Sequence, residues 1–543
     1  MSLVRPLARF YAATVKSGEG ESVHIYATSG PGVSLRPGRQ RPSGADAGQA
    51  LRPELADVGR LARRLVTRTV TAARADEQSV SRLLTEHLGA QGTDSPVAKG
   101  AWPAYDRVNV QTGIDAWLST PGREHRLVGL TEYRHREFGL SDLLHSTERW
   151  GPGIGSVETQ SLPAGPSGET QPCVQCAIYL TSDGDGQAAL LVRGPEEHGM
   201  HRGVTVEVAA TSPDRTSGIV AEVRQLSIEH NVFRGHVVAF GDEVFGHRGN
   251  GFLSFVDRPE VARDQVVLPP HVIDGIERQV LGVARHAPRL LASGQHLRRG
   301  VLLYGVPGTG KTHTVRYLLG RLPGVTVVIL SGRALGMISD ACSVARTLQP
   351  AVVVVEDVDL IAEERGQHLG ENPLLFELLN QMDGLGSDID VTFLLTTNRA
   401  DLLEEALAAR PGRVDHAAEL PVPDAAARLR LLRLYQGRLE LDLTDPDTVI
   451  ARTEGVTASF IRELLRRAAL VAAEQDQADA PADAPIRVTD ADLSAALDQL
   501  LDTRSALTQV LLGGGPADGG PAGRRSAGGG SAGGGSGAAA ARD

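Results

Sequence analysis

Gly305-Val306-Pro307-Gly308-Thr309-Gly310-Lys311-Thr312 decides how the rest of this 543-residue chain is read. The spacing G-x-x-x-x-G-K-[ST] suits a loop whose backbone N–H groups cradle phosphates, with a lysine ammonium on the outer oxygens and a threonine hydroxyl on Mg²⁺. Its flanks have the matching character: the apolar run Val301 to Tyr304 reads as a strand, and Thr312 to Leu319 reads as a helix whose N-terminus adds to the anion site. Lys311 is one of only three lysines, against fifty-two arginines. A position that keeps lysine in so arginine-rich a chain calls for a compact, rotatable charge rather than a planar fork.

Outward from the loop, strand-like runs alternate with helical ones: Val301 to Tyr304, Thr326 to Leu330, Val352 to Val355, Val391 to Leu395 and Ala417 to Leu420. The alternation predicts an α/β fold, a parallel sheet with helices on both faces. The valine run 352–355 suits a strand buried on both sides, and it ends in Glu356-Asp357, where an open α/β sheet has its ligand crevice. One crossover from a phosphate loop, that pair points to Mg²⁺ and water chemistry rather than to a surface turn. Asn398 follows the run Thr392 to Thr397, and an amide there can hold an attacking water or a phosphate oxygen. Arg410 and Arg413 flank Pro411-Gly412, a rigid turn that projects guanidinium groups away from the domain.

In this order, over about 266–501, these residues resemble the AAA ATPases, P-loop NTPases of the AAA+ class. Gly305 to Thr312 is similar to Walker A and Val352 to Asp357 to Walker B. Met382-Asp383-Gly384-Leu385 resembles the element that carries signals between subunits, Thr396-Thr397-Asn398 sensor 1, and Arg410 to Asp415 the second region of homology. The resemblance implies that ATP lies on Gly305, Pro307, Gly308, Thr309, Gly310, Lys311, Thr312 and His313, and that Thr312 and Glu356 organise Mg²⁺. It also implies that Asp357 activates water, that Asn398 orients it, and that Arg410 and Arg413 reach the nucleotide of a neighbouring subunit. A site completed in trans implies a head-to-tail ring, by resemblance a hexamer. The runs Asp424 to Gln436, Thr457 to Glu474 and Thr489 to Leu500 are similar to the family's small helical lid.

Two features depart from the family pattern. Glu356-Asp357 inverts the common Asp-Glu order, and a base one methylene shorter than Glu needs a closer water or a shifted backbone, so slow turnover is expected. The segment Ser331 to Ile338 lacks the aromatic residue with which many unfoldases grip polypeptide, leaving Leu335 and Met337 either as apolar grip or as helix caps.

The expected organisation is a loosely ordered segment 1–45, a mixed α+β region 46–265 for a protein partner or substrate, the nucleotide-binding part 266–421, the lid 422–512, and a Gly/Ala/Ser tail 513–543. Helical spacing in 51–88 predicts a helix that packs on its own domain or engages a partner. Val174 to Leu180, Ala188 to Val192, Val204 to Val208 and Ile219 to Ile228 read as strands, with Asp183-Gly184-Asp185-Gly186 a hairpin turn rather than a calcium loop. Cys173 and Cys176 read as alternating core residues on a strand rather than metal ligands, and three cysteines in all exclude a disulfide framework. A net charge of −11 gives no general attraction for nucleic acid. No run approaches the roughly 18 apolar residues of a membrane span, so the cytoplasm is the expected location. The expected function is an ATP-hydrolysing protein-remodelling machine, an unfoldase or disassembly chaperone. The alternative is a slow-turnover assembly factor or nucleotide-switched interaction scaffold.

Overall fold

In the computed structural model the glycine-rich loop leaves a strand that is paired on both sides within a seven-stranded sheet. The structure describes residues 12–16, 22–26, 79–134, 136–145, 152–196, 202–241, 253–359, 373–384, 386, 389–400, 414–475 and 485–502. Strands β1 (Ala12–Lys16) and β2 (Ser22–Tyr26) form an antiparallel pair by themselves. Of the helix expected over 51–88, the described part is α1 (Val80–Leu88), started by Ser79, whose hydroxyl accepts from the Arg82 N–H. Residues 51–78 and the tail from Gly513 lie outside the described residues.

The N-terminal region builds an antiparallel sheet from β3 (Val97–Trp102), β4 (Glu124–Thr131), β5 (Gly153–Gly155), β8 (Cys176–Asp183), β9 (Gly186–Arg193) and β10 (Val204–Ala210), in the order β3-β10-β9-β8-β4-β5. A separate hairpin joins β6 (Thr159–Pro163) to β7 (Thr170–Val174). Both sheet faces are apolar, because alternate residues of β8 go opposite ways: Ala177 and Tyr179 join one core, Cys176, Ile178 and Leu180 the other. The first core is covered by α2 (Arg107–Leu118) and α4 (Pro213–Glu229), the second by α1 and α3 (Leu140–His145).

Two expectations change here, and a third holds. Ile219 to Ile228 is helical, part of α4: Ser212 accepts from the Arg215 N–H, Pro213 opens the first turn, and the buried positions Ile219, Val223 and Ser227 recur every four residues. Cys173 and Cys176 sit on successive strands and in different cores, both as free buried thiols that burial pushes up to about 11 and about 12. The Asp183 turn is a hairpin, and its carboxylate is taken by arginines: against the cost of burial, Arg215 at 2.6 Å and Arg123 at 3.0 Å hold it below the usual carboxylate range.

The second sheet runs β12-β11-β14-β15-β16-β13-β17, with β11 (Val237–Phe240), β12 (Leu253–Val256), β13 (Arg299–Tyr304), β14 (Thr326–Leu330), β15 (Ala351–Val355), β16 (Val391–Thr397) and β17 (His416–Glu419). All neighbours are parallel except β11 and β12. The sheet therefore reaches upstream of Val266, where the alternation of strand and helix had suggested that it starts. Helices α5 (Pro270–Glu277), α6 (Val283–Ala292) and α7 (Lys311–Gly320) precede α8 (Ile338–Thr347) and α9 (Pro373–Asp383) along the chain. Val353 and Val355 face one core, Val352 and Val354 the other, as a strand covered on both sides requires.

The N-terminal region is packed onto this sheet. Tyr105 meets Phe240 edge to face at 5.7 Å, and Asn109 Oδ1 accepts from the Val232 N–H at 2.9 Å. The lid holds α10 (Ala425–Tyr435), α11 (Pro446–Arg452), α12 (Ala458–Gln475) and α13 (Asp490–Leu501), with short parallel strands β18 (Glu440–Asp442) and β19 (Arg487–Thr489). Among the described residues no helix is long and apolar enough to cross a membrane.

The helical register of α4 can be checked directly. Ile219→Ala should cost about 2 to 4 kcal/mol in denaturant unfolding, whereas Ala221→Glu and Gln225→Glu, on the exposed side, should change stability by less than about 0.5 kcal/mol. A strand would bury 219, 221, 223 and 225 together and make all three substitutions costly.

Candidate active site

The loop after β13 turns because its glycines allow it. Gly308 has φ +86°, and a Cβ there would lie 2.7 Å from Ser459 Oγ and 2.8 Å from Thr457 Oγ1. Both hydroxyls stand where α12 of the lid begins, and the Ser459 N–H donates to the Gly308 carbonyl at 3.2 Å. The start of α12 thus lies directly against the glycine loop. Gly310, at φ +100°, caps the N-terminus of α7, which starts at Lys311. Thr309 braces the loop by donating its hydroxyl to the Val306 carbonyl at 3.0 Å. Gly305 is pinned against Leu420, and Pro307 is exposed.

Lys311 is only 7% exposed. Its ammonium donates to the carbonyls of Gly305 at 2.7 Å and Val306 at 3.1 Å. Burial lowers its pKa, and the negative charges of Asp357 and Asp359 pull it back up. The sheet order produces this meeting, because β15 and β13 both pair with β16 and so bring their C-terminal ends to one edge.

Glu356 and Asp357 have different surroundings although adjacent. Glu356 is half-buried; burial raises its pKa, while a hydrogen bond with the Thr312 side chain lowers it and Asp357 raises it further. Asp357 is exposed and has φ +52°, a left-handed conformation that costs on the order of 1–3 kcal/mol. Two bonds hold it: its N–H donates to Thr396 Oγ1 at 3.1 Å, and Asn398 Nδ2 donates to its Oδ1 at 3.2 Å. The inverted carboxylate order is thus accompanied by a backbone that turns at the second residue.

His313 Nε2 lies 3.1 Å from the Gln265 carbonyl, at the start of α7. The carbonyls of Met382 and Asp383 accept from Arg298 at 3.3 Å each, so the end of α9 is tied to the residue before β13. Leu385, Arg410 and Arg413 lie outside the described residues. The segment Ser331 to Ile338, open to apolar grip or to helix capping, contains a tight helical turn, Gly332–Met337, in which Leu335 is 4% exposed. Leu335 belongs to the core, and Met337 packs against that core. Two site residues were not anticipated, Asp359 and Ser459, and Thr396, named within the sensor 1 resemblance, takes a further part as the acceptor for the Asp357 N–H. The acidic spacing Glu356-Asp357-Val358-Asp359 was the available signal for Asp359.

Comparison with known proteins agrees with this geometry. The sequence model for the "ATPase family associated with various cellular activities (AAA)" matches residues 301–422. These residues are an AAA ATPase domain. Similar proteins include "ATP-dependent zinc metalloprotease FtsH 2" of Symbiobacterium thermophilum, 30% identical over 45% of this chain and 41% of that protein. "ATP-dependent zinc metalloprotease FtsH 3" of Sphaerobacter thermophilus is 31% identical over 48% of this chain and 53% of that protein. The human "ATPase family gene 2 protein homolog A" is 31% identical over 40% and 27%. The match therefore spans about half or less of each of these relatives. Among the described residues no group of three His, Cys, Asp or Glu side chains could hold a metal ion by themselves.

The AAA domain uses ATP with Mg²⁺, and its residues fit both. Lys311 is a buried ammonium inside a loop of amides, and the Thr312 hydroxyl beside the Glu356 carboxylate forms a hard oxygen pair suited to Mg²⁺. Bound there, Mg²⁺ neutralises phosphate charge. Gly308 to Lys311 would hold the phosphates, Asp357 would accept a proton from water, and Asn398 would orient that water.

Lys311→Ala should abolish binding of a fluorescent ATP analogue. Lys311→Arg should weaken it by about tenfold or more, because a planar guanidinium cannot take the two carbonyl bonds of a compact ammonium in so closed a site.

Proposed function

We propose that the chain is an ATP-driven protein-remodelling machine that works as a head-to-tail ring. The observation that carries this reading is the contact of Ser459 with Gly308: the lid rests on the loop that holds phosphate, so a change at the phosphates moves the lid. Asp357, Asn398 and Lys311 supply hydrolysis at the same edge. Arg410 and Arg413 complete the site of a neighbouring subunit, most simply in a hexamer, and the N-terminal region engages a protein partner.

One observation favours the second reading, a slow assembly factor or nucleotide-switched scaffold. Leu335 is buried, so the segment that would grip an extended polypeptide does not offer it. The N-terminal region is meanwhile fastened to the sheet through Asn109 and Tyr105. In that reading the machine moves its own N-terminal region and whatever that region holds, rather than threading a chain.

Steady-state ATPase activity across a concentration series, with mass photometry on the same samples, tests the proposal. Activity should rise with assembly. Asp357→Asn should lower turnover by about a hundredfold or more while ATP stays bound. Arg413→Ala subunits should be inactive alone and regain activity when mixed with wild type. A fully active monomer would remove the ring. A measured turnover far below the about 1–10³ per second usual for enzymes, with substrate proteins released intact and folded, would decide for the slow factor.

A further inference from the structure

Asp359 is 7% exposed, yet its carboxylate does not serve the core around it. Its Oδ1 accepts from the Thr397 hydroxyl at 2.9 Å and from the Asn398 backbone N–H at 3.2 Å. Thr397 Oγ1 in turn accepts from the Arg399 N–H at 3.0 Å, so the chain is held on both sides of Asn398. Thr396 and Thr397 are 1% and 0% exposed, which leaves these hydroxyls no exchange with water. The Asn398 side chain emerges from this clamp and donates to Asp357, 3.2 Å away.

A buried carboxylate is costly unless it is paired and hydrogen-bonded. Neutral side chains could have served both donors, so a structural brace alone does not call for a charge here. The carboxylate instead holds the backbone that carries Asn398. Its two bonds also converge on sensor 1 rather than on the surrounding hydrophobic cluster.

We propose that Asp359 is a positioning residue of the hydrolysis site: its carboxylate clamps the Thr397–Asn398 peptide so that the Asn398 amide is presented to Asp357. The inference rests on the ATPase reading and adds to it a residue that touches neither nucleotide nor water. Acting through Asn398, it governs turnover and leaves nucleotide affinity alone.

The test uses the full chain as wild type, Asp359→Asn, Asn398→Ala and the double variant, with ATPase kinetics and binding of a fluorescent ATP analogue for each. Asp359→Asn should lower kcat by about tenfold, with KM and nucleotide affinity within about twofold of wild type. In the Asn398→Ala background the same change should lower kcat by less than about twofold, because both residues act through one amide. Wild-type kcat in Asp359→Asn, or losses that multiply independently in the double variant, would overturn the role. Should Asp359→Asn fail to fold, Thr397→Val replaces it: it removes the hydroxyl donor and should lower kcat in the same Asn398-dependent way, whereas Thr397→Ser should retain it. A wild-type chain that binds ATP and never hydrolyses it would remove the ATPase reading along with this one; a hydrolysing wild type matched by Asp359→Asn removes only the role of Asp359.

Discussion

Lys311 is an ammonium held in the protein interior, and the architecture around it follows from keeping that charge satisfied. Two loop carbonyls accept from it directly, and Asp357 and Asp359, both just beyond the end of β15, favour its charged form. A loop alone could not do this. The carboxylates arrive only because β15 and β13 both border β16, so that three strand ends meet at one edge of a parallel sheet. The valines of β15 face apolar cores on both sides and fix that strand in the middle of the sheet.

The two adjacent carboxylates are set apart by the backbone. Glu356 keeps a half-buried place beside Thr312, and Asp357 turns into a left-handed conformation whose strain is held by Thr396 and Asn398. Reversing direction at the second residue brings a shorter side chain to the exposed position that faces Asn398. The same bonds tie the end of β15 to the end of β16, so Asp357 and Asn398 are held as one unit. The lid joins it from the other side, through Ser459 on Gly308.

How much of this was legible depended on the range of the interactions. The phosphate loop, the five strands from Val301 to Leu420 and the three principal lid helices declare themselves through local spacing, because apolar period and cap residues act within a few positions. Helix α4 was misread because Ile219, Val220, Val223 and Ile228 are β-branched and looked like strand; the Ser212-Pro213-Asp214 start was the better signal, since it acts on the first turn directly. Strands β11 and β12 are four residues each and have no pattern of their own; β11 is placed by pairing with β14, about ninety positions along the chain, and β12 by pairing with β11.

By itself the sequence determined the chemistry available: a phosphate loop with lysine, two carboxylates after a valine strand, and an amide after a threonine run. Those are properties of residue types at short spacing, and short-range physics is enough to read them. Only the tertiary structure decided that Asp359 faces Asn398, that Ser459 covers Gly308, that Leu335 is turned inward and that the N-terminal region is bound to the sheet at Asn109 and Tyr105. Each of those depends on which strands become neighbours. That choice is made by the burial of whole faces at once, and no local stretch of sequence contains it.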